Sequence, residues 1–215
     1  FKQKTAYEIG VRLVGSTGTS VTSLYSGGGN ITLNGTSSAA SNTNASMGQG
    51  WGVLTTRQLT INAGSGNVSI VGSTTGTAYW NGVEINGWGG ANSSITAGNI
   101  AITGSSVARN GVDTENNTLN LTATGSGGIT LNGTTTTNNA SYRGVNLGTT
   151  GSILSAANGS INVTGSNSLG TAIYSNATMS AGGNINLTAA TSNITLNAGL
   201  TTTNATTGSV TLTGN

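Results

Sequence analysis

Few residues in this chain can do chemistry. Its 215 residues include no His and no Cys, so the usual acid–base pivot and the thiol nucleophile are both missing. The whole carboxylate supply is Glu8, Glu84, Asp113 and Glu115. Only Asp113 and Glu115, in "DTE", stand close together. At i, i+2 they would share one face of a strand, as a two-carboxylate glycosidase or a Ca²⁺ site requires. The plainer reading is a solvated loop between "RNGV" and the turn "NN". On this inventory the chain is expected to be no enzyme and to need neither metal nor cofactor.

Two other residue sets have binding chemistry. Trp51, Tyr79, Trp80 and Trp88 cluster loosely in "GQGWG", "TAYWNG" and "NGWGG". Exposed aromatics in such loops can stack on sugar rings; buried ones fill gaps under a loop. Asn-x-Ser/Thr sequons number roughly fifteen. Asn30, Asn34, Asn67, Asn132, Asn162, Asn186 and Asn193 are candidate glycan acceptors, although the recurring phrase "NITLNGT" generates many sequons by itself.

The charge balance narrows the partners. Lys2, Lys4, Arg12, Arg57, Arg109 and Arg143 are the only basic residues, and they are scattered. No basic patch for nucleic acid can be drawn from them. No apolar run approaches the roughly 20 residues of a membrane helix. Charged residues make up only 5% of the chain, against about 25% in an ordinary soluble domain. Proline is absent and the net charge is only +2, which does not fit the usual signature of disorder.

The elements that would position these side chains are set by a repeat. A phrase of the general form small–(Gly/Asn/Ser)–aliphatic–polar–aliphatic–(Asn/Thr)–Gly/Ala recurs at Ile31/Leu33, Val68/Ile70, Ile100/Ile102, Ile129/Leu131, Ile161/Val163, Ile185/Leu187, Ile194/Leu196 and Val210/Leu212. Each copy places two aliphatics on one strand face, with a polar residue outward between them. Its Gly and Asn residues are expected to form left-handed corners. A second phrase, Gly–Val, recurs at Gly52 ("GVL"), Gly82 ("GVEIN"), Gly111 ("GVD") and Gly144 ("GVNL"), with Ile or Leu two residues after the Val at Gly82 and Gly144, and with "TAIY" at Thr171 in the matching place. A third, with an aliphatic just before a turn, recurs in "SITAGN", "SILSAANG" and "TMSAGGN".

Three short strands per turn predict an all-β, parallel β-helix (β-solenoid) of about seven to nine coils. From Ile31 through Val68, Ile100, Ile129, Ile161 and Ile185 to Val210, the main phrase steps by about 24 to 37 residues, which predicts one loop of variable length per coil. Residues 1–26 hold Lys2, Lys4 and Arg12 and read as an atypical first coil or a cap strand. Residues 27–215 read as the repeat array. The chain opens on Phe with no signal peptide and ends inside the phrase "GSVTLTGN", so it is expected to be part of a longer protein.

The set "GGNITLNGT", "GNIAITGS", "GVEIN" and "AGGNINLTA" resembles the repeat or shaft region of the filamentous-haemagglutinin-like exoproteins of two-partner secretion. The likeness covers most of Gly27 to Asn215. It implies a right-handed parallel β-helix that is exported to the bacterial cell surface. It further implies attachment to host or bacterial surface receptors, matrix or glycans. That family's secretion domain carries Asn-Pro motifs, and with no proline here that domain is not recognisable. The expected function is a structural and adhesive module, a stiff rod that presents loops. Two alternatives stand beside it: a carbohydrate-binding or carbohydrate-acting β-helix, and a filament subunit that self-associates end to end or laterally.

Overall fold

The computed structural model describes residues 10–14, 21–39, 50–77, 79–86, 92–114, 118–137 and 139–215. The described residues form no helix. The first coil is β1 (Val11–Val14), β2 (Val21–Tyr25) and β3 (Ile31–Ser37); the second is β4 (Val53–Thr56), β5 (Gln58–Asn62) and β6 (Val68–Thr74). The third is β7 (Val83–Asn86), β8 (Ser93–Ala97) and β9 (Ile100–Ser106); the fourth is β10 (Val112–Asp113), β11 (Leu119–Ala123) and β12 (Ile129–Thr135). The fifth is β13 (Val145–Leu147), β14 (Ile153–Ala156) and β15 (Ile161–Asn167). The sixth is β16 (Thr171–Ser175), β17 (Thr178–Ala181) and β18 (Ile185–Ala189). The seventh is β19 (Asn193–Leu196), β20 (Leu200–Thr202) and β21 (Val210–Thr213).

Every strand pairs in parallel with its counterpart one coil away, giving three seven-stranded sheets and a parallel β-helix. Sheet A begins with β1, sheet B with β2 and sheet C with β3. With rungs about 4.8 Å apart, seven coils span roughly 30 Å. The three sequence phrases are the three sheets: the main phrase builds sheet C, Gly–Val builds sheet A, and the pre-turn aliphatic builds sheet B. The register runs Ile31↔Val68↔Ile100↔Ile129↔Ile161↔Ile185↔Val210, as the phrase spacing predicts. One copy is misplaced by its wording. Ile194 and Leu196 belong to sheet A, opposite Ile173 and Ser175. They follow Ile185 too closely for the chain to have completed a turn.

The core is a set of vertical aliphatic ladders. Val53, Val83, Val112, Val145 and Ile173 line it from sheet A. Ile61, Ile95, Leu121, Leu154 and Met179 line it from sheet B. Each such side chain contributes about 1.5–3 kcal/mol on burial, but only if the neighbouring coils cover it. At the last rung they do not: Val210 is 45% and Leu212 53% exposed.

Of the glycines that open the phrase, Gly28 and Gly128 form left-handed corners as expected, at φ 113° and φ 74°, whereas those that close it serve close approach. Among the described glycines only Gly27, Gly28, Gly50, Gly64, Gly128 and Gly151 have positive φ. Gly35, Gly72, Gly104, Gly133 and Gly165 sit within sheet C with ordinary φ, each against the backbone of the segment entering sheet A. A Cβ on Gly111 would stand 2.7 Å from both the Gly104 and Gly144 carbonyl oxygens. The "N/T–G" of one phrase and the "G–V" of the other are therefore two sides of one backbone-on-backbone crossing, repeated coil after coil.

Candidate functional site

The chain's scarce chemical groups converge on the outer face of sheet A. The cause lies in the connections from sheet C to sheet A. They run over residues 38–52, 75–82, 107–111 and 136–144, then shrink to 168–170 and 190–192. The longer ones bring polar and aromatic residues to the outer row of sheet A in the middle coils. That row reads Arg12, Leu54, Glu84, Asp113, Asn146, Tyr174 and Thr195 in unbroken register. Glu84 and Asp113 are thus one rung apart, and both are buried, Asp113 to 0% exposure.

Two like charges sealed one rung apart need compensation, and hydrogen-bond donors supply it. The Trp51 indole N–H donates to Glu84 Oε2. Asn81 Nδ2 donates to Glu84 Oε2 at 2.8 Å and to Asp113 Oδ2 at 3.0 Å. Asp113 also accepts from Asn110 Nδ2 at 2.6 Å and from Asn146 Nδ2 at 2.8 Å. The amide oxygens are used as well: Asn81 Oδ1 accepts the Asn110 N–H at 2.9 Å, and Asn110 Oδ1 accepts the Arg143 N–H at 2.7 Å. The result is an asparagine ladder just ahead of the crossing glycines, each rung tied to the carboxylate three residues later.

Aromatic and cationic groups cover this network. The Trp51 and Trp80 rings lie 3.8 Å apart between centroids, tilted by 39°, and a Cβ on Gly50 would overlap the Trp80 indole. Arg109 lies 5.6 Å from the Tyr142 ring centroid and Arg143 lies 4.9 Å from that of Tyr174, both at cation–π range.

The sequence candidates fall in different places. Trp51 is buried and faces Glu84, so it offers no open stacking platform. Trp80 is half-buried against Trp51, whereas Tyr79 beside it is exposed. Trp88 lies outside the described residues, as do Glu8 and Glu115. Asp113 is not in a solvated loop; it lies in β10, and its carboxylate partner is Glu84 from the coil before. Among the described residues no three His, Cys, Asp or Glu side chains gather where they could hold a metal. The carboxylates here meet amide donors and an indole, an arrangement suited to bracing adjacent coils.

Comparison with family models, curated proteins and solved structures finds no match.

Of the sequon asparagines, Asn34 and Asn132 stand exposed on the outer face of sheet C. Asn30 and Asn67 are exposed but built into a corner ladder: Asn30 Oδ1 accepts the Asn67 N–H at 2.8 Å, and Asn67 Oδ1 accepts from Asn99 Nδ2 at 2.9 Å. Asn162 and Asn186 are half-buried, and Asn186 Nδ2 donates to Asn162 Oδ1 at 2.8 Å. Asn193 is exposed at the start of β19. The motif that sequence reading passed over is Asn–Gly–Val–acid, present as Asn81–Glu84 and Asn110–Asp113. Its repetition in consecutive coils was the available signal.

Proposed function

We propose that this chain is a non-catalytic structural and adhesive rod, a segment of an exported bacterial surface adhesin that holds loops away from the cell. The observation that carries this reading is the division of labour around the coil. The three-walled core repeats from coil to coil, while the connections differ in length, most of all on the flank where sheet C passes into sheet A, from 15 residues (38–52) down to three (168–170), against one to seven residues at the other two corners. The carboxylates on that flank are engaged internally, which leaves exposed loop residues such as Tyr79 for contact with host or bacterial surfaces. The resemblance of the phrases to filamentous-haemagglutinin-like shafts points the same way and supplies the extracellular, cell-surface setting.

The test is attachment. Beads coated with the protein are expected to adhere to cultured cells, matrix or bacteria above beads coated with an unrelated β-protein of similar size. Absence of attachment to all three, or bond cleavage in a polysaccharide panel, would remove the reading.

A further inference from the structure

The outer face of sheet C holds a feature the rod reading does not use. There β6, β9 and β12 present Ser69, Ala101 and Thr130 in register, beside the row Val71, Thr103 and Asn132. Where these strands begin, a shallow groove of about 240 Å³ opens across three successive coils. Its floor is low for two reasons. Ala101 ends at its methyl group, and the corner ladder Asn30–Asn67–Asn99 continues into Gly128 instead of a fourth asparagine. The gap is enforced by the backbone, because a Cβ on Gly128 would lie 2.7 Å from the Ser160 amide nitrogen.

The rim is polar and held in place. Asn99 donates through Nδ2 to Asn67 Oδ1 at 2.9 Å and accepts the Gly128 N–H at 3.0 Å through Oδ1. Those bonds fix the carboxamide while leaving its second amide hydrogen, the Asn67 Nδ2 group and the Ser69 and Thr130 hydroxyls for a ligand. None of the residues lining the groove is charged, and neither are the described residues of the rows beside it.

We infer that this groove is a subsite for one ring of a neutral polysaccharide lying across sheet C. A pyranose ring has an apolar C–H face and a rim of hydroxyls that both donate and accept. The methyl floor suits the first, and carboxamides and hydroxyls, which also donate and accept, suit the second. Anionic polymers find no counter-charge here. A peptide cannot add as a strand, because β9 is paired on both sides along the groove. One ring in so shallow a site binds at about the millimolar level, and longer chains gain by touching adjacent rungs. This site lies on the flat face and not in the loops, so it stands or falls apart from the adhesive reading.

The experiment is affinity electrophoresis of the whole chain in gels containing mixed-linkage β-glucan, glucomannan or galactomannan, with polygalacturonate as the anionic comparison. Ala101→Gln fills the floor from an exposed, outward position, Thr130→Val removes one hydroxyl at constant shape, and Tyr79→Ala tests the loops. The expected result is retardation by at least one neutral polymer, weakened about tenfold or more by Ala101→Gln, weakened less by Thr130→Val, and unchanged by Tyr79→Ala. No retardation by any neutral polymer overturns the assignment. So does stronger retardation by polygalacturonate, or binding lost in Tyr79→Ala but kept in Ala101→Gln. Cell attachment that survives Ala101→Gln alongside lost polysaccharide binding would leave both the subsite and the rod reading standing.

Discussion

Replacing Asn81 with alanine should destabilise the middle of the rod far more than any exposed asparagine. Its side chain donates to two buried carboxylates and accepts one buried backbone N–H. A hydrogen bond to a charged group contributes about 1.5–3 kcal/mol and a neutral one about 1 kcal/mol. Glu84 keeps the Trp51 indole, and Asp113 keeps Asn110 and Asn146, so the expected loss sits at the lower end, about 4 kcal/mol. Asn132→Ala, on the open face of sheet C, should change stability by less than about 0.5 kcal/mol. Urea unfolding followed by tryptophan fluorescence reads the local change, since Trp51 and Trp80 lie over the network. Amide exchange should quicken in β4, β7 and β10 and stay slow in β14 to β18, because a solenoid couples mainly neighbouring coils. Adding Asp113→Asn, which takes away one of the two charges, should reduce the cost of Asn81→Ala by about 1.5 kcal/mol or more. If Asn81→Ala matches Asn132→Ala, or the two substitutions are simply additive, the network does not brace the coils and the reasoning fails.

Two further outcomes are expected. Gly111→Ala forces a Cβ between two carbonyl oxygens and should cost about 3 kcal/mol or more; Gly199→Ala, where a Cβ meets nothing within 4 Å, should be neutral or stabilising by up to about 1 kcal/mol. Thermal denaturation separates the pair. Leu121→Ala, fully buried in sheet B, should lower stability by about 2–5 kcal/mol in urea titration.

The aliphatic ladders were legible because their signal is local and repeated. Ile31 to Val210 each carry the same two-residue alternation, and parallel stacking turns identical phrases into identical rungs. The phrase around Ile194 misled because its wording matches sheet C while its sheet is decided by how far the chain has turned. The glycine pattern is legible at the corners, where Gly28 and Gly128 take positive φ, and not at the glycines that close the phrase. A corner and a close crossing both call for Gly, and only the fold brings Gly104 against Gly111. The braced carboxylates were harder still. Glu84 and Asp113 lie in neighbouring coils, so no spacing rule within one strand pairs them, and the connections that bury them vary in length. Asp113 was instead read against Glu115, its neighbour in sequence.

The unbroken register of sheet C has a consequence for how such a molecule can change length. Thr164 stands opposite Thr188, and Gly165 opposite Ala189. Excising residues 165–188 would join Thr164 directly to Ala189, bring Ile194 over Val145 and Leu200 over Leu154, and shorten the molecule by a single step of about 4.8 Å. The same junction read in reverse accepts an added turn. Length here is a quantity counted in whole coils, open to duplication and deletion without a new core having to be invented at the seam.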